Sequence, residues 1–438
     1  MAVQYRIVGG GAEAIAASIE EGIADGALAP GAALPPIRGL AGDLGVNPNT
    51  VAAAYRLLRD RGAVESSGRL GTRVRDRPAT TPRSLRGLTV PPDVRDLSTG
   101  NPSPALLPTI AAVPVQPGPV VLYGHPPIAP PLAVHAAAEL TADGVPAEHL
   151  AVTSGALDGI ERVLSAHLRP GDRVAVEDPG WPNLLDLLGA LGLNPEPVGV
   201  DDDGPLPADL ARALARGVRA VVVTSRAQNP TGAAVSAQRA DALRVLLDGS
   251  DVLLVEDDHC AAIAGVPLQP LAGATRHWAF VRSVAKAYGP DLRLAVLAGD
   301  QRTVERVQGR LRLGPGWVSH LLQNLAVELW RDAAAARQVA DAEAAYGAAR
   351  AGLCTALADR GVVAHGRSGL NVWIPVPDEA AAMTELFAAG WAAAPGARFR
   401  IRSAPGLRVT IAELAPADID PLADAVAQAV RGPGRASV

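Results

Sequence analysis

Four short apolar runs, AVT (151–153), RVAVE (173–177), AVVVTS (220–225) and DVLLVE (251–256), alternate with helical stretches, and this constrains the chain more than any other feature. Runs of Val, Leu and Ala without a polar face suit strands buried on both sides. Helices between them supply the covering layers, so the pattern predicts a mainly parallel α/β sheet. From about residue 330 an Ala-rich helix leads into a segment with VWIPV (372–376), FRIRS (399–403) and LRVTIAEL (407–414), read as a smaller α+β lobe closing the chain. At 438 residues the chain exceeds what one core usually holds, so two or three domains are expected.

The first 77 residues follow another pattern. Residues 12–27 carry Ile15, Ile19 and Ile23 at spacing four, which reads as an amphipathic helix. Two short helices follow, Ile37 to Leu44 and Thr50 to Arg61, with Pro48 suited to the first turn of the last and Asn47 or Asn49 able to cap it. The stretch AVESSGRLGTRVR then alternates like a tight hairpin with Gly68 and Gly71 at its tip. Three helices and a two-stranded wing are the winged helix-turn-helix order. Residues 38–77 hold eight arginines against four acids, a local excess suited to phosphate contacts within a chain of net charge −5. Residues 78–96, rich in Pro, Arg and Thr without periodicity, read as a linker, and 97–438 as the body, divided near residues 325 and 326 into large domain and small lobe.

Composition narrows the setting. Hydrophobic residues are 48% and charged residues 19%, as in a globular protein with ample core. Two cysteines, Cys260 and Cys354, make neither a disulfide framework nor a metal-ligand spacing, so a reduced, metal-free, cytoplasmic protein is expected. No run of eighteen apolar residues occurs, so no membrane span is expected. Of forty Lys plus Arg, thirty-nine are arginine, and Lys286 is the one lysine. Guanidinium substitutes for an amine as a cation but not as a nucleophile, which makes Lys286 a candidate for chemistry.

In open α/β sheets ligands sit beyond the carboxyl ends of the strands, so the residues there belong together. After AVT comes Ser154-Gly155-Ala156 and a helix from about Leu157 to His167, small residues that free N–H groups for a phosphate, though many βα turns look the same. After RVAVE comes Trp181, a flat ring on a turn that could stack on a planar ligand or simply pack. After AVVVTS comes Asn229-Pro230-Thr231-Gly232, whose amide could bond a phenolic oxygen or form an Asn-Pro turn. Glu256-Asp257-Asp258-His259 ends the fourth strand, where acids are costly without partners. A metal cluster and a carboxylate paired with a protonated pyridine nitrogen both explain that run. Ser283-Val284-Ala285-Lys286 follows, with Arg293 seven residues on.

Asn-Pro-Thr-Gly, an Asp about thirty residues later, Ser-x-x-Lys about thirty after that, then Arg, in that order from about Leu97 onward, resembles the fold-type I, aspartate aminotransferase-like enzymes of the class I/II aminotransferase family, which use pyridoxal 5'-phosphate (PLP). The resemblance implies that Lys286 forms an internal aldimine with PLP and that Asp257 pairs with the pyridine nitrogen. By the same resemblance Asn229 bonds the ring oxygen and Trp181 stacks on the ring. Ser154, Gly155, Ala156, Ser283 and Arg293 hold the phosphate, joined by Tyr123 from a second subunit of a head-to-tail homodimer. Arg408 grips a substrate carboxylate. His259 stands where the family usually has tyrosine, and Ile128 where it usually has glycine.

Residues 12–77 resemble the GntR-type winged helix-turn-helix. A GntR-type head linked to an aminotransferase-like body is the layout of the MocR subfamily of transcriptional regulators. The resemblance places Arg38, Asn47, Asn49 and Thr50 against double-stranded DNA, with Arg69 and Gly71 on the wing. Pro48 replaces a frequent arginine, and Ala52 to Ala54 give a smooth face with little capacity to read bases. The expected function is a PLP-dependent regulator that senses PLP or an amino compound at Lys286. A working aminotransferase with a fused DNA-binding domain is the alternative, and a regulator that no longer binds PLP is a third reading.

Overall fold

The computed structural model describes residues 5–24, 27–60, 63–66, 71–74, 90–110, 113 and 118–431. The N-terminal unit consists of α1 (Ala12–Ala24), α2 (Ile37–Leu44), α3 (Pro48–Asp60) and the antiparallel pair β1 (Val64–Ser66) and β2 (Thr72–Val74). Val51, Ala54, Tyr55 and Leu58 form the buried stripe of α3 and pack with Ile15 and Ile19 of α1. Asn47 is the cap of α3, its Oδ1 accepting from the Asn49 amide at 2.9 Å, and Pro48 opens the helix where a missing N–H costs nothing. The Tyr55 hydroxyl donates to the Pro35 carbonyl at 2.7 Å and ties α3 to the turn before α2. The smooth alanine face is narrower than expected, because Ala54 lies fully in the head's core. Gly71 enters β2 with φ +80°, and Gly68 and Arg69 lie outside the described residues.

The strands of the body are β3 (Arg95–Asp96), β4 (Leu150–Thr153), β5 (Arg173–Asp178), β6 (Asn194–Asp201), β7 (Gly204–Pro205), β8 (Ala220–Thr224), β9 (Leu253–Asp258), β10 (His277–Ser283), β11 (Ala295–Gly299), β12 (Asn371–Pro375), β13 (Trp391–Ala392), β14 (Ala394–Pro395) and β15 (Gly406–Thr410). Its helices are α4 (Pro130–Ala142), α5 (Ala156–His167), α6 (Pro182–Ala190), α7 (Pro207–Ala215), α8 (Ala237–Leu247), α9 (Ala285–Tyr288), α10 (Gln301–Arg312), α11 (His320–Arg331), α12 (Ala333–Asp359), α13 (Glu379–Ala388) and α14 (Ile419–Arg431). Eight strands make one sheet in the order β4-β11-β10-β9-β8-β5-β6-β7. The ladders from β10 through β9, β8 and β5 to β6 are parallel. β11 runs against both its neighbours, and β7 against β6.

Period-two alternation divides each central strand between two cores. Val221 and Val223 of β8 pack on one side with Leu254 and Phe280, while Ala220 and Val222 pack on the other with Val255 and Val281. Both faces are covered, and for that reason the runs read as apolar throughout. The small lobe is the antiparallel sheet β12-β15-β14 under α12, α13 and α14, with Leu353, Ile374, Val409 and Val426 in its core.

Two expectations are corrected. The linker read to residue 96 ends sooner, since β3 pairs in parallel with β13 and Leu97 sits in the small-lobe core. The division near residue 326 falls inside α11, whose Ala326, Val327 and Leu329 belong to the large-domain core, so the small lobe begins with α12. FRIRS forms no strand. Its amides are drawn instead to the carboxylate of Asp178 at the end of β5, which accepts from Ile401 N at 2.9 Å, Arg402 N at 2.7 Å, Ser403 N at 2.9 Å and Ser403 Oγ at 2.8 Å. Successive amides converging on one anion form a nest, and this one clasps the small lobe to the sheet. Asp178→Ala removes the acceptor. It is expected to lower unfolding free energy by about 2–4 kcal/mol in urea titrations, whereas a loss below about 0.5 kcal/mol would contradict the clasp.

Candidate functional site

The carboxyl ends of β8, β9 and β10 lie side by side, so Asn229 and Lys286, far apart in sequence, line one cleft, and Asp257 is buried at the end of the strand between them. The acidic end of β9 divides by strand parity. Glu256 accepts from Ser225 Oγ and Leu271 N, both at 2.9 Å. Asp258 takes a bidentate grip from Arg226, at 2.8 Å and 3.0 Å, and a further bond from Arg282 at 2.9 Å. Asp257, between them, is 2% exposed and has a different environment. Its Oδ2 bonds His259 Nδ1 at 2.8 Å, and its Oδ1 is buried with no donor. Among the described residues no group of three or more His, Cys, Asp and Glu is placed to hold a metal ion.

A buried carboxylate oxygen without a donor carries a desolvation cost that a cationic N–H would offset. The rest of the cleft, about 380 Å³, fits the same ligand. Gly155 caps α5 with φ +94°, and a Cβ there would stand 3.0 Å from the Arg293 guanidinium, so glycine leaves open the space before the first amides of the helix. Arg293 holds a left-handed backbone at φ 44° and donates to the Ser154 carbonyl at 3.0 Å. Ser154 donates its amide to Asp158 at 2.8 Å, so its backbone is spent on positioning, and Leu157 lines the cleft with Gly155 and Ala156. Ser283 Oγ accepts from Ala285 N at 3.2 Å at the start of α9. Trp181 and His259 stack with centroids 6.2 Å apart and planes at 24°.

Burial lowers the Lys286 ammonium below its usual value of 10.5, and the Arg408 charge adds to that against an opposing contribution from Cys260. A less protonated amine is a better nucleophile. Its Nζ donates to the Gly100 carbonyl at 2.6 Å. Arg408 donates to Asn229 Oδ1 at 3.1 Å and to the Ser98 carbonyl, leaves its buried Nε without an acceptor, and lies 5.0 Å over the Phe399 ring. Burial and then Arg398 bring its pKa down to about 10. Tyr123 is not among these residues. It is 93% exposed, its ring against Trp317 at 5.6 Å.

Ser98, Gly100, Leu157, Arg398 and Phe399 escaped the reading of strand ends, because they come from the chain entering the body, the second residue of α5 and a turn of the small lobe. The proline in GNPSP and the PGARF segment were the only local signals.

In sequence, residues 93–426 match the family Aminotransferase class I and II, and residues 11–74 match the Bacterial regulatory proteins, gntR family. The chain is 42% identical over 424 residues to the vitamin B6 salvage pathway transcriptional repressor PtsJ of Salmonella typhimurium, covering 94% of this chain and 97% of that one. It belongs to the MocR subfamily of GntR-type regulators. This MocR-type chain is also 31% identical over 265 residues to the HTH-type pyridoxine biosynthesis transcriptional regulator PdxR of Corynebacterium glutamicum, with 57% of each chain covered. Its body shares the fold of Pyrococcus horikoshii kynurenine aminotransferase, at TM-score 0.70 and 19% identity over 77% of this chain and 91% of that one. It is a DNA-binding regulator whose aminotransferase-like body takes PLP as cofactor. Bound PLP supplies an electron sink for chemistry at amino carbon atoms, and Lys286, Asp257, Asn229 and Arg293 would be the residues to hold it.

Burial disfavours the charged His259 ring, and the Cys260 sulfur and the Asp257 carboxylate outweigh it, so its pKa stands well above 6.5. A raised folded pKa contributes stability that is complete below 6.5 and is lost as pH rises through the raised value. Against His259→Gln, the parent is expected to show that extra stability in urea melts at low pH and to lose it as pH climbs. A difference independent of pH would contradict the pairing.

Proposed function

We propose that this regulator senses PLP, or an amino compound reacting with it, by covalent attachment at Lys286, and that occupancy biases the DNA-binding heads. The observation that carries the reading is the pairing of the two ligand-reactive side chains with one backbone segment. Lys286 bonds the Gly100 carbonyl and Arg408 the Ser98 carbonyl. A ligand that takes both side chains removes two bonds from residues 98–100, which keep the Gly100 N bond to Thr410 Oγ1 at 3.0 Å and continue from β3 and so from the linker to the head. A ligand shifts such an equilibrium only through a difference in affinity between the two arrangements, and the two surrendered bonds supply one.

The two regulators it resembles, by name a vitamin B6 salvage pathway repressor and a pyridoxine biosynthesis regulator, support PLP as an effector. Exposed Val120, Leu122 and Tyr123 in one run support a head-to-tail dimer in which a second copy covers this stretch and Tyr123 reaches its site. Arg38 is exposed at the start of α2, and Asn49 and Thr50 lie in the first turn of α3 after the Asn47 cap, an arrangement that supports DNA contact by this helix pair. Arg69 and Gly71 belong to the same proposal on the wing.

Mobility shifts on DNA from upstream of the protein's own gene test the reading. Arg38→Ala is expected to weaken binding about tenfold, and added salt to weaken it further. PLP is expected to change the parent's affinity and leave Lys286→Ala unchanged. An equal response in both proteins would contradict sensing at Lys286, and sustained keto-acid release from amino acids at steady state would favour the aminotransferase instead.

A further inference from the structure

β5 and β8 are parallel neighbours, so the turns that leave their carboxyl ends, residues 178–181 and 229–232, lie side by side. One carries Trp181 and the other Asn229, and both side chains line the cleft. Gln228, the residue before Asn229, is 1% exposed and stands behind that lining. Its side chain reaches both turns. We infer that Gln228, anchored by Glu177, is a positioning residue that fixes Asn229 and Trp181 relative to each other and so sets the slot for the cofactor ring. This rests on the reading of the cleft as a PLP site.

Both polar atoms of the Gln228 side chain are engaged. Nε2 donates to the Pro179 carbonyl at 2.8 Å and to Glu177 Oε2 at 3.2 Å, while Oε1 accepts from Thr231 N at 3.0 Å and Thr231 Oγ1 at 2.6 Å. The donor end therefore holds the turn of Trp181 and the acceptor end the turn of Asn229. An amide carries a donor and an acceptor on one rigid plane, which a carboxylate does not. The backbone closes the second turn about the same residue, with Gly232 N donating to the Gln228 carbonyl at 2.6 Å and Gln228 N to the Ala233 carbonyl at 3.0 Å.

Glu177, near the end of β5, is 5% exposed and stitches the two strands together. It accepts from Thr224 N at 2.9 Å and Thr224 Oγ1 at 2.8 Å as well as from Gln228, all neutral donors. Burial pushes its carboxyl up to about 7 against those bonds. With the Glu177 and Pro179 oxygens on one side and the two Thr231 donors on the other, the Gln228 amide has a single orientation that satisfies every partner. The consequence reaches the cleft. Asn229 Oδ1 accepts from Arg408, so its Nδ2 is the end turned to a ring oxygen, and its placement follows that of the turn Gln228 holds.

Gln228→Ala removes the brace, and Gln228→Asn keeps the amide but shortens its reach by one methylene. In hydrogen exchange of the full chain without PLP, both variants are expected to speed exchange in residues 178–183 and 229–233 together. Asp300→Ala, which removes the cap of α10 at the amino end of β10, is expected to lower the melting temperature and leave both segments as in the parent. On titration with PLP, both Gln228 variants are expected to weaken binding about tenfold. They are also expected to raise the pH midpoint of the visible band, because a misplaced Asn229 donor stabilises an anionic ring oxygen less. Glu177→Gln added to Gln228→Ala is expected to cost little further PLP affinity, since Glu177 acts through Gln228. Faster exchange confined to residues 229–233, or PLP affinity and band midpoint equal to the parent's, would overturn the inference. Faster exchange in both segments with no visible band in the PLP-saturated parent would support the brace and overturn the PLP reading instead.

Discussion

The site depends on how β9 buries three consecutive carboxylates at its end. An isolated charge in that position would be too costly to keep, so each acid needs a partner on its own side of the sheet. Glu256 and Asp258 find Ser225, Leu271, Arg226 and Arg282 on one side. Asp257 faces the other way with His259 on one oxygen and nothing on the other. Because β9 lies between β8 and β10, the same register that aims Asp257 brings Asn229 and Lys286 to its flanks. On the proposed reading, the unpaired oxygen and the lysine amine would meet the two ends of one planar ligand.

The large domain supplies only part of the cleft. Arg398, Phe399 and Arg408 come from the small lobe, which the Asp178 nest and the bond from Gly180 N to the Phe399 carbonyl at 2.8 Å hold against the sheet. Ser98 and Gly100 come from the chain that has just left the linker. Ligand chemistry, lobe position and the path to the DNA-binding head therefore meet within a few residues. On the proposed reading, this economy of parts would let an aminotransferase fold act as a sensor.

Much of this was legible in the sequence, and what was not has identifiable causes. Asn229 and Trp181 follow, and Asp257 ends, strands whose apolar runs announce themselves, while Lys286 stands out as the one lysine of the chain, and the strand-end rule groups them. The helix of residues 37–44 and the capped start of α3 are written in local chemistry, a proline, an asparagine and a helical stripe. β6 was missed because Pro195 and Pro197 break the strand pattern, which is tolerated near a sheet margin where only β7 lies beyond. FRIRS alternates like a strand, but a carboxylate more than two hundred residues away claims its amides, and no local pattern reports that. Arg398 hides for the same reason: its neighbourhood is made by tertiary contact.

Lys286 allows an unusually direct test, because the chain holds no second lysine to compete for an aldehyde. Purified full chain is saturated with PLP, dialysed, examined for visible absorbance, then reduced with borohydride and mapped by mass spectrometry. A visible band with one reduced adduct per chain at Lys286, both absent in Lys286→Ala, is the predicted result. A colourless protein after excess PLP, or a band and adduct that persist in the variant, would contradict it.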